Sequence, residues 1–450
     1  MLSILLALTS APTPALVVRN VDVFDGRRSE LIRGATIVVE DGKFTYVGKT
    51  PPKTVPSGAL EVNGSGKTMI PGLWDMHVHW YDESRLRLFT ANGVTGIRIM
   101  FGMPMHLQWK KRQQEGALAA PRMYVAGPIV DGPKPIWPGS IACSNAEDGR
   151  KAVRQVKDAG YDFVKVYSLL PREAYFAIAE EAKAQKIDFE GHVPSLIRFS
   201  EAVQAGQKTA EHLYGIEVGI SENEDTIMKG REEGKTSASE ASLLDGHRSK
   251  KKAEAMFSAM AKAKMWQCPT LVVLRAMSML DSEQFRSDPR LKYMAKTFAS
   301  TWDPKNDFRM KSRSAADWET ARKRLPITYS LIAPMAKKGV RFLAGTDCLN
   351  PYCFPGFSLH DELGLLVEAG LTPFQALQAA TSGPAEFMGR RDVGIIERGR
   401  LADFVLLDGN PLQDIHNTTR IASVCQGGQF QDRKTLDQML NDVEARSKSE

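Results

Sequence analysis

The sequence predicts an α/β fold, a (β/α)₈ TIM-type barrel with a small β-sandwich domain formed from both chain ends. Three observations predict this fold. The middle of the chain alternates short apolar runs with helical segments, which is typical of repeated βα units and a parallel sheet. Both ends of the chain carry β-type runs instead. The length of 450 residues suits one large barrel with one satellite domain.

The two chain ends share a β-type pattern. Apolar runs punctuated by Asp-Gly turns extend from Leu16 to about Met69, and a second such stretch begins near Asp392. Because these stretches bracket the long middle segment, we expect them to form one sandwich. The predicted boundaries are a possible signal segment over residues 1–15, the sandwich over 16–69 and 391–432, the barrel with helical lid insertions over 70–390, and a C-terminal helix or tail over 433–450.

Eight apolar runs in the middle segment are the predicted barrel strands. In chain order they read TMIPGLWDMHVH, GVTGIRIM, RMYVAG, DFVKVYS, DFEGHV, KTAEHL, MWQCPTLVVL and GVRFLAGTD. Two charged, helical insertions flank the seventh run, Ile216–Lys264 and Arg275–Lys338. Loops at the carboxyl face of such barrels surround the site, so we expect these insertions to act as lids.

The composition indicates a globular protein. Apolar residues make up 43% of the chain and charged residues 25%, which allows both a large core and a hydrated surface. The formal net charge of +6 is small for this length and both signs are interspersed, so nucleic acid is not an expected partner. Assembly into a homo-oligomer remains open.

The N-terminus and the cysteines leave the cellular location open. The start, MLSILLALTS followed by APTPA, resembles a secretory signal without its positively charged beginning. The apolar run is too short for a membrane-spanning helix. The five cysteines show neither a disulfide framework nor a zinc-finger spacing. Cys348 and Cys353 could pair in an exported protein, and two free thiols are the simpler alternative.

The chemistry is expected where predicted strands end. His77 and His79 close the first barrel strand, and alternation along a strand puts both imidazoles on one face, about 7 Å apart. His192 and His212 end the fifth and sixth strands, and Asp347 ends the eighth. Barrel enzymes place their catalytic groups at these ends, and imidazole and carboxylate are the ligands of zinc-type ions. We therefore predict a metal site rather than structural histidines.

Lys165 lies in the middle of the apolar fourth strand, DFVKVY. Burial of a charged amine is costly, and desolvation lowers the pKa of such a lysine and favours its neutral form. A neutral amine can add carbon dioxide and become a carbamate, an anion able to bridge two metal ions. The alternative is a lysine paired with a buried carboxylate.

Five motifs carry a family resemblance: PGLWDMHVH, DFVKVY, GHV, EHLYG and AGTD, in this order. The chain resembles the amidohydrolase superfamily, in particular its imidazolonepropionase-like and Xaa-Pro dipeptidase-like branch, from about Val17 to Gln426. The resemblance implies two divalent metal ions, with zinc expected. In the implied ligand set the first metal is held by His77, His79 and Asp347, the second by His192 and His212, and carboxylated Lys165 bridges both.

The resemblance implies hydrolysis of amide C–N bonds in dipeptide-like or N-acyl amino acid substrates. Metal-activated hydroxide would attack the carbonyl, and Asp347 would act as general base and then as general acid. The candidate substrate-binding residues are Arg98, Tyr167, Tyr214 and His360, with ordinary packing as the alternative role of each. The remaining histidines, His106, His247 and His416, are expected to face solvent.

Three other functions remain open. A mononuclear cyclic-amide hydrolase similar to imidazolonepropionase is disfavoured by the intact Lys165. A phosphotriester-type hydrolase is possible because the same two-metal centre can attack phosphorus. A non-catalytic binding protein of the same fold is disfavoured because no expected metal ligand is missing.

Overall fold

The computed structural model describes residues 14–235 and 238–450. All but the last two residues of the possible signal segment, 1–15, lie outside the described residues. The described chain forms one mixed sheet and two parallel sheets, with helices between the parallel strands. This α/β architecture agrees with the sequence prediction.

The mixed sheet unites both ends of the chain. Its strand order is β18-β17-β16-β5-β1-β2-β3, with β4 paired to β1. Strand β16 runs antiparallel to β5 with Phe404 opposite Pro71, so the C-terminal strands continue the N-terminal sheet, as predicted. The strands are β1 Leu16–Val23, β2 Ile32–Glu40, β3 Lys43–Gly48, β4 Leu60–Asn63, β5 Thr68–Pro71, β16 Phe404–Leu407, β17 Ile421–Gln426 and β18 Gln429–Asp432.

Ten strands form the two parallel sheets, and each predicted barrel run contains one of them. One sheet has the order β6-β7-β8 and the other β10-β9-β11-β12-β13-β14-β15. The strands are β6 Leu73–Val78, β7 Val94–Ile99, β8 Arg122–Val125, β9 Val130–Asp131, β10 Ile141–Ala142, β11 Phe163–Val166, β12 Asp188–Gly191, β13 Thr209–Glu211, β14 Trp266–Cys268 and β15 Arg341–Phe342.

The two parallel sheets are joined at both edges by backbone pairing. Ala126, just after β8, forms a parallel bridge with Phe163 of β11. At the other edge Val78 forms a parallel bridge with Cys348, and the Met76 amide donates to the Ala344 carbonyl at 2.8 Å. The carboxyl ends of all these strands therefore open on the same face of the protein.

The helices follow the strands and fill both insertions. Helix α3 illustrates the local logic: the Asn145 side chain accepts from the Asp148 amide at its start, and Ala152, Val153 and Val156 lie on its buried face. The helices are α1 Arg87–Ala91, α2 Pro104–Gln114, α3 Ala146–Asp158, α4 Arg172–Gln185, α5 Phe199–Ala205, α6 Ile216–Gly219, α7 Glu224–Glu232, α8 Ala238–Leu244, α9 Lys250–Ala263, α10 Leu271–Ser278, α11 Glu283–Arg286, α12 Lys296–Ala299, α13 Ala315–Tyr329, α14 Ile332–Lys337, α15 Phe357–Glu368, α16 Pro373–Ala379, α17 Ser382–Phe387 and α18 Arg433–Ser449.

Two details differ from the sequence analysis. The seventh run is a strand only over Trp266–Cys268; after Pro269 the chain turns into α10, so TLVVL is largely helical. The prediction that His106 faces solvent is wrong. It is fully buried at the start of α2, where Nδ1 accepts from the Met103 amide and Nε2 donates to the Trp80 carbonyl. Its role is to hold the loop after β6 against this helix.

His247 and His416 face solvent, and the cysteines are free thiols, as expected from the sequence. His247 and His416 are exposed. All five cysteines are buried free thiols, so Cys348 and Cys353 do not pair. Among the described helices none is both long and apolar enough to cross a membrane.

A buried carboxyl on α15 makes the stability of the fold depend on pH. Glu362 is fully buried, its Oε2 accepts from the Val272 amide at 2.8 Å, and its Oε1 has no hydrogen-bond partner among the described residues. Burial raises the pKa of Glu362 from 4.5 to about 8. The folded protein therefore keeps this carboxyl protonated under conditions in which the unfolded chain ionises it.

We expect Glu362→Gln to reduce the pH dependence of stability. The contribution of Glu362 is complete below pH 4.5 and is lost as the pH rises toward about 8. The loss of melting temperature across this window should be smaller in Glu362→Gln than in the native protein. Glu368→Gln, at an exposed position of the same helix, is the control and should follow the native curve. Parallel curves for all three proteins would contradict this role.

Candidate functional site

Three ligand atoms from two strand ends converge at the carboxyl face of the parallel strands. His77 Nε2 lies 3.2 Å from His79 Nε2 and 3.3 Å from Asp347 Oδ1, and His79 Nε2 lies 3.1 Å from the same Oδ1. Three atoms bound to one tetrahedral zinc ion at its usual distances would be separated by about 3.4 Å. The three side chains thus form a group that could hold a metal ion.

His192 and His212 complete the predicted cluster of imidazoles. His212 Nε2 lies 3.9 Å from Asp347 Oδ2, and its ring centroid lies 4.7 Å from that of His77. The His192 ring stands edge-on to the His212 ring at 4.9 Å. The structure therefore brings all four predicted histidines and Asp347 to one place, although β6 and β15 lie far apart in the chain.

Each of three imidazoles is oriented by a partner at Nδ1, which leaves Nε2 free to face the cluster. Such partners are typical of metal-binding histidines. Burial lowers the pKa of all three, and a neutral imidazole is the form that binds metal. The pairs are His77 with Glu211 at 2.8 Å, His192 with Ser168 at 2.9 Å and His212 with Thr270 at 2.6 Å.

Lys165 projects from β11 toward this cluster. Its side chain is completely buried, and Nζ has neither a hydrogen bond nor an ion pair to any residue that the structure describes. Burial lowers the pKa of Lys165 to about 8. The predicted alternative of a lysine in a carboxylate ion pair is therefore not what the structure contains. An unpartnered buried amine beside metal-type ligands fits the expected carbamate.

A glycine makes room for this lysine. A Cβ on Gly191 would lie 2.8 Å from Lys165 Cδ and 2.3 Å from the Val166 carbonyl oxygen. The φ of Gly191 is also +127°, which side chains rarely tolerate. The GHV motif thus supplies both His192 and the space in which Lys165 lies.

Arg98 does not lie on the surface of the pocket, contrary to its predicted role in substrate binding. The Arg98 side chain is fully buried. Its guanidinium donates hydrogen bonds to Glu211 at 3.0 Å and to Glu190 at 2.8 Å, both inside the protein. Burial lowers the pKa of Arg98, but the two carboxylates outweigh this effect and the pKa is raised above its ordinary value. Because Glu211 also contacts His77 Nδ1, Arg98 helps to position the carboxylate that orients His77.

His360 is likewise absent from the residues that line the cavity, and its position agrees with the packing role that was the alternative to substrate binding. It is buried on α15, where Nδ1 lies 3.0 Å from the Thr418 hydroxyl and Nε2 lies 3.0 Å from the Asn92 carbonyl. Both ring nitrogens are occupied, which makes His360 a connection between α15 and its neighbours.

The backbone is strained at two residues of the cluster. His212 and Asp347 have φ values of 59° and 56°, and Thr270, the partner of His212, has 50°. Residues with a side chain rarely adopt this region, and such strain is concentrated at functional sites. Asp75 holds the strand end before Asp347 by accepting from the Thr346 amide at 3.0 Å and hydroxyl at 2.7 Å.

A large cavity opens over the cluster. Its volume is about 790 Å³, and it is lined by His79, His192, His212 and Asp347 together with aromatic side chains from the surrounding loops. Tyr167 and Tyr214, two of the candidate substrate-binding residues, line this cavity. The Tyr167 hydroxyl accepts from Trp137 Nε1 at 2.9 Å, and its ring stacks on His192 at 4.1 Å.

Sequence reasoning missed three residues around the site. Glu190 lies two residues before His192, in EGH, and Glu211 directly precedes His212, in AEH; a carboxylate inside a buried strand was a usable signal. Arg309 lines the cavity from the second insertion and donates to Asn350 at 2.8 Å. No sequence signal distinguishes it from the other basic residues of that insertion.

Comparisons with known proteins point to one superfamily. The model of the amidohydrolase family matches residues 291–430. An adenine deaminase of Rhizobium meliloti is 40% identical over 67 residues, 14% of this chain and 11% of that protein. An imidazolonepropionase of Deinococcus deserti is 41% identical over 81 residues, 18% and 20% of the two chains. These matches span a fifth of the curated relatives or less. Ochratoxinase of Aspergillus niger is 22% identical across 89% of this chain and 83% of its own.

Solved structures resemble almost the whole chain. Bottromycin amidohydrolase superposes with a TM-score of 0.78 at 26% identity, covering 96% of this chain and 90% of that one. A putative prolidase from Bifidobacterium longum has a TM-score of 0.68 at 21% identity, with 96% and 100% covered. Fold and site define the class, an α/β protein whose histidines and carboxylates meet at the carboxyl ends of parallel strands. Residues 291–430 match the amidohydrolase family, and a solved amidohydrolase resembles almost the whole chain.

Removal of the charge on Glu211 is expected to weaken metal binding by about 10- to 100-fold, because the carboxylate orients His77. The variant Glu211→Gln keeps the size of the side chain, and zinc affinity can be measured by competition with a chromophoric chelator. Glu190→Gln is the matched control, since Glu190 pairs with Arg98 at 2.8 Å but contacts no imidazole. Equal losses in both variants would show that only the fold was disturbed.

Proposed function

We propose that this chain is a metal-dependent hydrolase of amide C–N bonds, built on a (β/α)₈ barrel and acting on dipeptide-like or N-acyl amino acid substrates. The observation that carries the proposal is the convergence of His77, His79 and Asp347 atoms within 3.3 Å of one another. The cavity of about 790 Å³ over this cluster has room for such a substrate.

The proposed metal centre holds two divalent ions, with zinc expected. His77, His79 and Asp347 would bind the first, His192 and His212 the second, and Lys165, carboxylated by carbon dioxide, would bridge them. Bound ions of this kind supply Lewis-acid chemistry: they lower the pKa of water and polarise a carbonyl oxygen.

The residues of the chain supply proton transfer and orientation. Burial would raise the pKa of Asp347, but His77 and His212 hold it below its ordinary value, so this carboxylate is ionised and able to accept a proton. We propose that Asp347 accepts a proton from the attacking water. It then delivers this proton to the leaving nitrogen as the C–N bond breaks. The products are a carboxylate and an amine.

The names of similar proteins support this class of reaction. An amidohydrolase and a prolidase are among the similar structures, and ochratoxinase aligns with most of the chain. The short match to imidazolonepropionase supports the mononuclear cyclic-amide alternative less strongly, since it covers 18% of this chain.

A substrate panel tests the proposal. Zinc-loaded protein is offered N-acyl amino acids, Xaa-Pro and Xaa-Arg dipeptides, lactams and a phosphotriester, and product release is measured. We expect turnover of at least one linear amide and a loss of at least about 1000-fold in Asp347→Asn, since the proton acceptor is removed. His416→Ala, at an exposed position, is the control and should retain activity. Turnover of the phosphotriester alone would overturn the assignment.

The metal count tests the role of Lys165. We expect two zinc ions per chain in the native protein and one or fewer in Lys165→Met, because the bridging anion is lost. The carbamate should also give a ¹³C signal after equilibration with ¹³C-bicarbonate, and this signal should be absent in the variant. Lys183→Met, on the exposed face of α4, should keep both properties. Two ions in Lys165→Met would exclude the bridge.

A further inference from the structure

A second cavity adjoins the metal centre. Its volume is about 470 Å³, and it shares His212, Tyr214, Arg309, Asp347 and Asn350 with the first. We call the first the aromatic cavity and the second the arginine cavity. Both reach Asp347, so one extended molecule can occupy both cavities and pass the proposed proton donor.

The aromatic cavity suits an apolar group. Trp137 and Phe308, from different loops, both line it and pack edge to face at 5.7 Å. The Phe308 side chain is 57% exposed, which is unusual for a phenylalanine. Such exposed rings over a pocket offer apolar surface for a ligand to cover.

The arginine cavity has a different character. Leucine, valine and methionine side chains of α10 and α13 form part of its wall, and four arginines line it. Three of these arginines are neutralised by carboxylates. The pairs are Arg231 with Glu240 at 2.9 Å, Arg309 with Asp307 at 2.6 Å, and Arg324 with Asp245 at 2.8 Å.

Arg313 is the exception. It forms no ion pair within 4.0 Å with any carboxylate of residues 14–235 or 238–450. The guanidinium is nevertheless held in place: it donates to the Met277 carbonyl at 3.0 Å and lies 4.8 Å from the centre of the Trp318 ring. Burial lowers the pKa of Arg313, and the charges of Asp317 and Asp307, both beyond ion-pair distance, raise it too little to restore its ordinary value. A fixed, unneutralised arginine in a cavity is suited to bind an anion.

We infer that Arg313 is a specificity-determining residue that binds the free carboxylate on the amine side of the substrate. This inference rests on the proposed function, because dipeptides and N-acyl amino acids carry their free carboxylate on the leaving amine. The acyl group then lies in the aromatic cavity and the scissile bond at Asp347. The leaving amino acid, with an apolar side chain, lies in the arginine cavity. The preferred substrate is an aromatic N-acyl derivative of an apolar amino acid.

Kinetics on a matched pair of amides tests this assignment. N-benzoylleucine carries the carboxylate, and N-benzoylleucinol carries a neutral hydroxymethyl group in its place. We expect Arg313→Met to lower kcat/KM for N-benzoylleucine by about 10- to 100-fold, mainly through KM, as for a lost charge-assisted hydrogen bond. The value for N-benzoylleucinol should change by less than about twofold.

Two further variants separate charge from structure. Arg313→Lys keeps the cation and should recover part of the loss. Lys311→Met removes a positive charge from the same turn at an exposed position outside both cavities, and it should resemble the native protein. Equal losses on the acid and the alcohol in Arg313→Met would show a structural role and overturn the inference, as would no loss on either.

A binding measurement distinguishes failure of this inference from failure of the proposed function. N-benzenesulfonylleucine and its leucinol analogue cannot be cleaved at a carbonyl, and their binding to the zinc-loaded protein is measured by calorimetry. We expect the acid to bind about 10-fold more tightly or better than the alcohol, and this preference should vanish in Arg313→Met. A preference retained in the variant excludes Arg313 whether or not the protein hydrolyses amides. A preference lost without any hydrolysis supports the anion site and contradicts the hydrolase.

Discussion

The buried ion pair between Arg98 and Glu211 is the interaction on which the geometry of the site depends. Both side chains are fully buried, and the pair gains from the Thr209 hydroxyl, which donates to Glu211 at 2.6 Å. Desolvation of two charges is repaid only when their hydrogen bonds are complete, and removal of one partner would leave a charge inside the protein. Glu211 also accepts a hydrogen bond from His77 Nδ1. The buried network therefore fixes the orientation of this imidazole.

Much of the fold and of the cluster could be predicted because they depend on local patterns. Strand alternation puts His77 and His79 on one face, and the parallel arrangement brings the ends of β12, β13 and β15 to the same side. Lys165 could be recognised because a lysine within an apolar strand is costly whatever surrounds it. These arguments need only the strand assignment, and each predicted run does contain a strand.

The residues that could not be predicted depend on contacts between distant segments. Arg98 and Tyr167 both lie near strand ends in the sequence, yet Arg98 points to Glu190 inside the protein and Tyr167 into the cavity. His360 and His106 gave no sign that backbone carbonyls would occupy their rings. The left-handed backbone at Asp347 is likewise set by tertiary contacts, among them the hydrogen bonds of Asp75 to Thr346.

The two insertions and the strands contribute different kinds of residues to the site. The strand ends supply the groups for metal binding and proton transfer, whereas Arg309 and Arg313 come from the insertion after α10 and contact no strand residue by hydrogen bond. Charged helical segments are ordinarily read as hydrated surface, and most basic residues here do pair with neighbouring acids. Among the arginines of this insertion, Arg313 is distinguished by the lack of a carboxylate partner among the described residues, a property that only the folded arrangement defines. Specificity can therefore change through substitutions in the insertion while the strand-end chemistry stays the same.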